Sequence, residues 1–351
     1  MNDNFSNSRM KPLPWQTEVW RRLTGRVQTL PHALLFRGRF GSGKGVFAAA
    51  FAQWLLCESR QAPHACGACP SCGWFAQGAH PDFHRIEPEV AVEQSDGDEA
   101  GARRSERKPR QHITVDQVRR LGDLVNVSSH RGGHRVVLIQ PAEGMNVHAA
   151  NALLKTLEEP PPGTIFLLVC HRPRRVLPTV LSRCEQVTMP MPDAAAAERW
   201  LQEQGVEHPV QPLAEAGFAP VAALALSAPE HQALRSRVMK ILSEPAGLDA
   251  VAAADILQGT DGGTLVGWLQ RWCYDLMRVR VGAPPRFNPD FSPALARLAR
   301  SIGTGGFLDY NRMLTESQRI AQHPLNARLF AESLLLYYRR SFLSDKGAKR
   351  E

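Results

Sequence analysis

The sequence predicts an α/β domain with a largely parallel sheet and a phosphate-loop-like turn, followed by an all-helical second half. Three observations carry this. A short apolar run, His32–Phe36, passes through a glycine-rich loop into a helix-like apolar run over 46–57. Two further apolar runs alternate with helical segments, as strands and helices do around a parallel sheet. From about Met189 onward, alanine- and leucine-rich helical segments replace the strands.

In chain order, Trp15, Trp20 and Leu23 suggest a short helix packing onto the first domain. His32–Phe36 reads as a buried strand, and 46–57 as the helix that leaves the glycine loop. The polar, charge-dense stretch 93–111 reads as a flexible insertion. Order resumes at Ile113, with Thr114 or Asp116 capping the next helix. Arg135–Ile139 is a second strand, 151–158 a helix and Ile165–Val169 a third strand. The helical half has breaks near Gly217, Pro245 and Pro284. Apolar stripes run along Leu265, Trp268, Leu269, Trp272 and Leu276, and along Leu329, Leu334 and Tyr337. The expected division is a sheet domain over 1–189 with a cysteine module at 57–73, a helical lid over 190–232, a helical bundle over 233–343 and a disordered tail over 344–351.

Composition narrows the function classes. The 351 residues are 43% hydrophobic, ordinary for a globular protein. No run of eighteen or more apolar residues occurs, and the N-terminal MNDNFSNSRMKPLPWQ lacks the apolar stretch of a secretory signal, so the reading is cytoplasmic, without membrane contact. A formal net charge of +8 permits nucleic-acid association, but part of the excess lies in Arg103, Arg104, Arg107, Lys108 and Arg110, which read more simply as a solvated loop. Seven cysteines, four of them between Cys57 and Cys72, fit a metal site in a reducing compartment better than a disulfide framework.

Gly38, Gly41, Ser42, Gly43, Lys44 and Gly45 belong to a GxxxxGK loop, whose amides and lysine cradle phosphate at a helix N-terminus. The hydroxyl residue that would ligate magnesium is replaced by Gly45. The strand Arg135–Ile139 is followed by Gln140-Pro141-Ala142-Glu143, so a neutral amide stands where a metal-holding carboxylate is expected. Without that ion, charge on a γ-phosphoryl group is poorly neutralised. The expectation is a vestigial loop: ATP or ADP binding remains open, hydrolysis by the isolated chain does not.

Cys57, Cys66, Cys69 and Cys72 supply four thiolates for one tetrahedral, structural Zn²⁺, with no open position for catalysis. His64, His80 and His84 are alternative ligands nearby. After the third strand, Leu181-Ser182-Arg183-Cys184 places a cation where a subunit boundary lies in nucleotide-driven rings.

The glycine loop, the cysteine module, Ala149–Pro161 (AANALLKTLEEPP) and Leu181–Cys184 together resemble the bacterial clamp-loader AAA+ family. The resemblance implies an AAA+ sheet domain, a lid and a C-terminal collar whose last helix is Asn326–Leu336. It also implies partners: gamma/tau and delta subunits in a pentameric ring, a sliding clamp, and primed DNA reached through the complex. Nucleotide-hydrolysing members carry a threonine at position 45, an acid at 140, a threonine-rich sensor where this chain has Cys170-His171, and a lid arginine where it has Pro220. Those four losses concern the chain's own nucleotide. Arg183, with Ser182 beside it, is the piece that would serve another subunit's ATP as a trans arginine finger. Two other readings stay open: an active gamma/tau-like ATPase, and a zinc-dependent nucleic-acid-binding module.

Overall fold

Alternating strands and helices build the N-terminal unit, Met1–Pro192, and among the described residues helices alone build the C-terminal unit, Asp193–Glu351. The computed structural model describes residues 9–60, 63–88, 112–125, 133–257, 259–321 and 326–343. The expected insertion at 93–111, its basic cluster, and the tail at 344–351 lie outside them.

In the first unit, α1 (Thr17–Thr24) precedes β1 (Ala33–Arg37), and α2 (Lys44–Leu56) leaves the glycine loop. Then come α3 (Pro70–Ala76), β2 (Phe83–Ile86), α4 (Val115–Val125), β3 (Arg135–Ile139), α5 (Val147–Glu158), β4 (Thr164–Cys170), α6 (Pro178–Leu181) and β5 (Glu185–Thr188). All strand pairs are parallel, in the order β2-β3-β4-β1-β5. Successive side chains point to opposite faces. Accordingly Leu34, Phe36, Val136, Leu138, Leu167 and Val169 pack with α1 and α2, whereas Leu35, Val137, Ile139, Phe166 and Leu168 pack with α4 and α5. Burial on both faces explains why the three inner strands read as unbroken apolar runs.

The edge strands β2 (FHRI) and β5 (EQVT) were not among the sequence expectations. Each has one strand neighbour and mostly half-buried or exposed side chains, so neither has an apolar signature. Thr114 caps α4: its hydroxyl accepts from Gln117 N at 3.3 Å while Gln117 Oε1 accepts from Thr114 N at 2.8 Å. Asn146 caps α5 through Ala149 N at 2.8 Å, so that helix starts four residues before Asn151.

The second unit runs α7 (Ala194–Glu203), α8 (Val210–Glu215), α9 (Pro220–Leu226), α10 (Pro229–Ser243), α11 (Ala250–Ile256), α12 (Gly262–Arg280), α13 (Ser292–Ser301), α14 (Thr304–Ile320) and α15 (Ala327–Leu343). Helix α10 spans residue 232, the expected junction of lid and bundle. The α12 stripe is buried throughout, with Trp268, Leu269 and Trp272 in the core. The α15 stripe needs correction: Leu334 is buried, but Leu329 and Tyr337 are 60% and 53% exposed. The buried face is Ala331, Leu334, Leu335, Tyr338 and Phe342. A five-residue step advances a helix by well over a full turn, so Leu329 and Leu334 cannot share a face.

A buried ionic network fastens α8, α10 and the segment before α13. Arg235, 2% exposed, donates from Nη1 to Asp290 Oδ2 at 2.8 Å and from Nη2 to Asn288 Oδ1 at 2.7 Å, with Nε 3.5 Å from Glu215 Oε2. Trp268 Nε1 donates to Glu215 Oε1 at 2.7 Å, and His231 Nε2 lies 2.8 Å from the same oxygen. Burial alone pushes the Glu215 carboxyl up, but the His231 and Trp268 hydrogen bonds outweigh it and hold the group below the usual range. Removing one partner of such a network leaves charge buried and uncompensated. Arg235→Ala should therefore cost about 3–5 kcal/mol, read as an earlier unfolding midpoint in urea; a midpoint equal to wild type would deny the network its role.

Candidate functional site: a glycine loop, a thiol cluster and a surface arginine

The C-terminal ends of β1, β3 and β4 meet where parallel α/β sheets place their ligands. From β1 the chain enters the glycine loop, where Gly41 (φ 76°) and Gly43 (φ 85°) adopt left-handed backbone and Gly43 caps α2. Lys44 does not project from this loop. It is 2% exposed, and its ammonium donates to Gly38 O at 2.9 Å, Arg39 O at 2.5 Å and Ser42 Oγ at 3.5 Å, using all three donors. Burial pulls this group down to about 8, with Glu143 and then Cys170 opposing. Trp15 Nε1 and Gln16 Nε2 donate to Ser42 O at 3.1 and 3.2 Å, so the N-terminal segment braces the loop.

Gln140 follows β3, and Gly45 lies in the first turn of α2. The two positions that would hold magnesium thus offer an amide and a hydrogen, and these residues do not fit that ion. Glu143 faces the backbone instead. Both its carboxylate oxygens lie within bonding distance of His171 N, at 3.0 and 3.1 Å, tying the end of β3 to the end of β4. Burial, then the Glu143 charge, push the Cys170 thiol up to about 12. The exposed Phe40 meets the His171 ring edge-on at 5.1 Å.

The four cysteines converge. Cys57 ends α2, Cys66 and Cys69 lie in the following turn, and Cys72 lies in α3. Their sulfurs all fall within 4.8 Å of one another, with Cys57–Cys69 at 4.0 Å and Cys66–Cys72 at 3.9 Å. Four thiolates at Zn–S distances of about 2.3 Å stand about 3.8 Å apart, so the donor set fits a tetrahedral ion. Ala68 N and Cys69 N donate to Cys66 Sγ at 3.4 and 3.3 Å, and Cys66 N to Cys57 Sγ at 3.3 Å. The Ala68 amide is the main cause drawing the Cys66 thiol down to about 6, whereas burial pushes Cys57 and Cys72 up. None of the three candidate histidines joins the group: His64 packs on Trp20 at 5.8 Å, His80 Nδ1 accepts from Asp82 N at 3.0 Å, and His84 lies in β2.

Arg183 stands just past α6, partly exposed. Its Nη1 donates to Thr179 O at 3.0 Å and to Ser182 Oγ at 3.4 Å, and its Nη2 to Glu158 Oε1 at the end of α5. Ser182 is exposed and its hydroxyl donates to Thr179 O at 3.0 Å. Cys184 is core: burial raises its thiol to about 12. Sequence reasoning did not single out Glu158, because nothing local signals a partner 25 residues away. In the second unit Phe218, a non-glycine residue with positive φ (68°), precedes Pro220 at the start of α9, and Arg286 lies over its ring at 5.5 Å. No described helix is long and apolar enough to cross a membrane.

The sequence profile of a family described as DNA polymerase III, delta subunit, matches residues 15–193. A DNA polymerase III subunit delta' of Pseudomonas aeruginosa is 38% identical over 276 residues, 76% of this chain and 78% of the relative. One from Yersinia pestis is 33% identical over 313 residues, 86% and 87% of the two chains. A DNA polymerase III subunit tau of Escherichia coli is 33% identical over 188 residues, 52% of this chain and 26% of that one.

Proposed function

The chain belongs to the DNA polymerase III delta-prime subunit family, and on that premise we propose that it is the non-hydrolysing member of a clamp loader. It sits beside a gamma/tau subunit in a pentameric ring that also holds a delta subunit. There it presents Arg183 to the ATP bound by its neighbour, so that ring closure on primed DNA triggers hydrolysis and release of the sliding clamp. Likeness to a tau subunit over half the chain fits the two being built to pack alike in one assembly.

One asymmetry supports the reading. The chain's own loop has no magnesium ligand at Gly45 or Gln140, and its Lys44 bonds to the carbonyls of Gly38 and Arg39. Arg183 lies at the surface with its side chain 34% exposed. A guanidinium delivered to a γ-phosphate neutralises charge that develops on the transferring group. The cysteine module takes one structural zinc that ties α2 to α3 and leaves no position for a reacting water.

The purified chain should hydrolyse no ATP, and Lys44→Ala should leave the hydrolysis of a reconstituted loader unchanged. Turnover by the chain alone would favour a gamma/tau-like ATPase instead. Purification from cells should bring down a gamma/tau-like ATPase and a ring-shaped clamp.

A further inference from the structure

We propose that Glu158 is the positioning residue for Arg183, an inference that rests on the reading in which Arg183 serves a neighbour's ATP. Arg183 is held by three groups, and they differ in kind. Thr179 O and Ser182 Oγ belong to its own turn and move with it. Glu158 comes from another element, the last residue of α5, and binds Nη2. That helix is fixed to the sheet by Leu153 and Leu157, 0% and 1% exposed, so the carboxylate has an address relative to the sheet rather than to the loop. A planar guanidinium contacted at both Nη atoms has its plane set. Among the described residues Nε of Arg183 makes no hydrogen bond, which leaves that edge of the fork for a phosphate oxygen.

The pair is too exposed to act as a lock. Side-chain exposures are 34% for Arg183 and 51% for Glu158, and exposed ion pairs are weak and screened. A γ-phosphate oxygen can take the open Nε edge without displacing the carboxylate from Nη2. Glu158 therefore orients the cation before the phosphate arrives, and a group already in place at the moment of reaction carries no reorganisation cost. The adjacent Glu159 caps α5 through its backbone N on Lys155 O at 3.1 Å and makes no bond to Arg183, so it serves as the control.

The test uses the complete loader with clamp and primed DNA, titrated with ATP. Glu158→Ala should lower kcat of the Arg183-dependent hydrolysis about fivefold with KM for ATP unchanged. Glu158→Gln, which keeps an acceptor oxygen on the same chain length, should restore most of it, and Glu159→Ala should match wild type. In an Arg183→Ala background, Glu158→Ala should add nothing, since both act through one guanidinium. Wild-type kcat in Glu158→Ala, a raised kcat, or a loss that persists without Arg183 would overturn the positioning role. If Arg183→Ala itself leaves hydrolysis intact, the underlying reading fails as well; if only Glu158→Ala is silent, that reading stands and this inference alone falls.

Discussion

Arg183→Ala, introduced into an otherwise complete loader, should nearly abolish hydrolysis at the one ATP site that faces this subunit. Arginine fingers contribute about 10³–10⁵ in rate, so the variant subunit should leave that site with background turnover while the ring still assembles. The chain itself should fold as before, because among the described residues the Arg183 side chain hydrogen-bonds only to Thr179 O, Ser182 Oγ and the exposed Glu158. Arg183→Lys should also fail to restore the rate: an ammonium is a point charge without the planar fork that spans two phosphate oxygens. Steady-state hydrolysis and clamp deposition, measured beside a sizing column for assembly, separate catalysis from architecture. A ring that hydrolyses and loads at wild-type rate with alanine at position 183 would end the proposal.

How much of the fold and of the candidate site was legible in the sequence depends on the environment of each residue. The inner strands were legible because burial on both faces demands apolar residues along their interiors, as over 136–139 and 165–170. The edge strands were not, since Phe83–Ile86 and Glu185–Thr188 are held by backbone pairing on one side and need no apolar code. The convergence of the four cysteines was legible from spacing alone, because a ligand-like pattern places fixed residue types at short range. The state of Lys44 was not: a lysine in a GxxxxGK loop reads as a phosphate ligand, and only the fold shows it turned onto Gly38 O and Arg39 O. Glu143 and Glu158 were missed for the same reason. Each acts on a partner distant in sequence, His171 N and Arg183, and such pairings leave no periodic or spacing signal. On α15 the apolar stripe was assigned in the wrong phase, since an exposed Leu329 looks no different in sequence from the buried Leu334.

Removing the zinc proposed at Cys57, Cys66, Cys69 and Cys72 should lower stability markedly. Cys57 and Cys72 are 4% and 1% exposed, and both belong to the core that includes Trp20, Phe47 and Phe51. In the turn that carries Cys66 and Cys69, backbone amides donate to sulfur: Ala68 N and Cys69 N to Cys66 Sγ, and Cys72 N to Cys69 Sγ at 3.5 Å. Amides that donate to thiolates tune and orient the ligands of a metal site. Structural zinc binding amounts to about 10–16 kcal/mol in small zinc domains, comparable to or above the ~5–15 kcal/mol by which a whole domain is stable. Here the parallel sheet supplies its own core, so only part of that free energy should be lost. A loss of about 4 kcal/mol would lower the melting temperature of a unit this size by about 10 °C. Elemental analysis should find one zinc per chain, and Cys69→Ser or a strong chelator should produce that drop. Hydrolysis per assembled loader should hold steady below the new melting point, because among the described residues none of the four cysteines hydrogen-bonds to Arg183 or to the glycine loop. A metal-free chain that melts where the wild type does would show that the four sulfurs converge for packing alone.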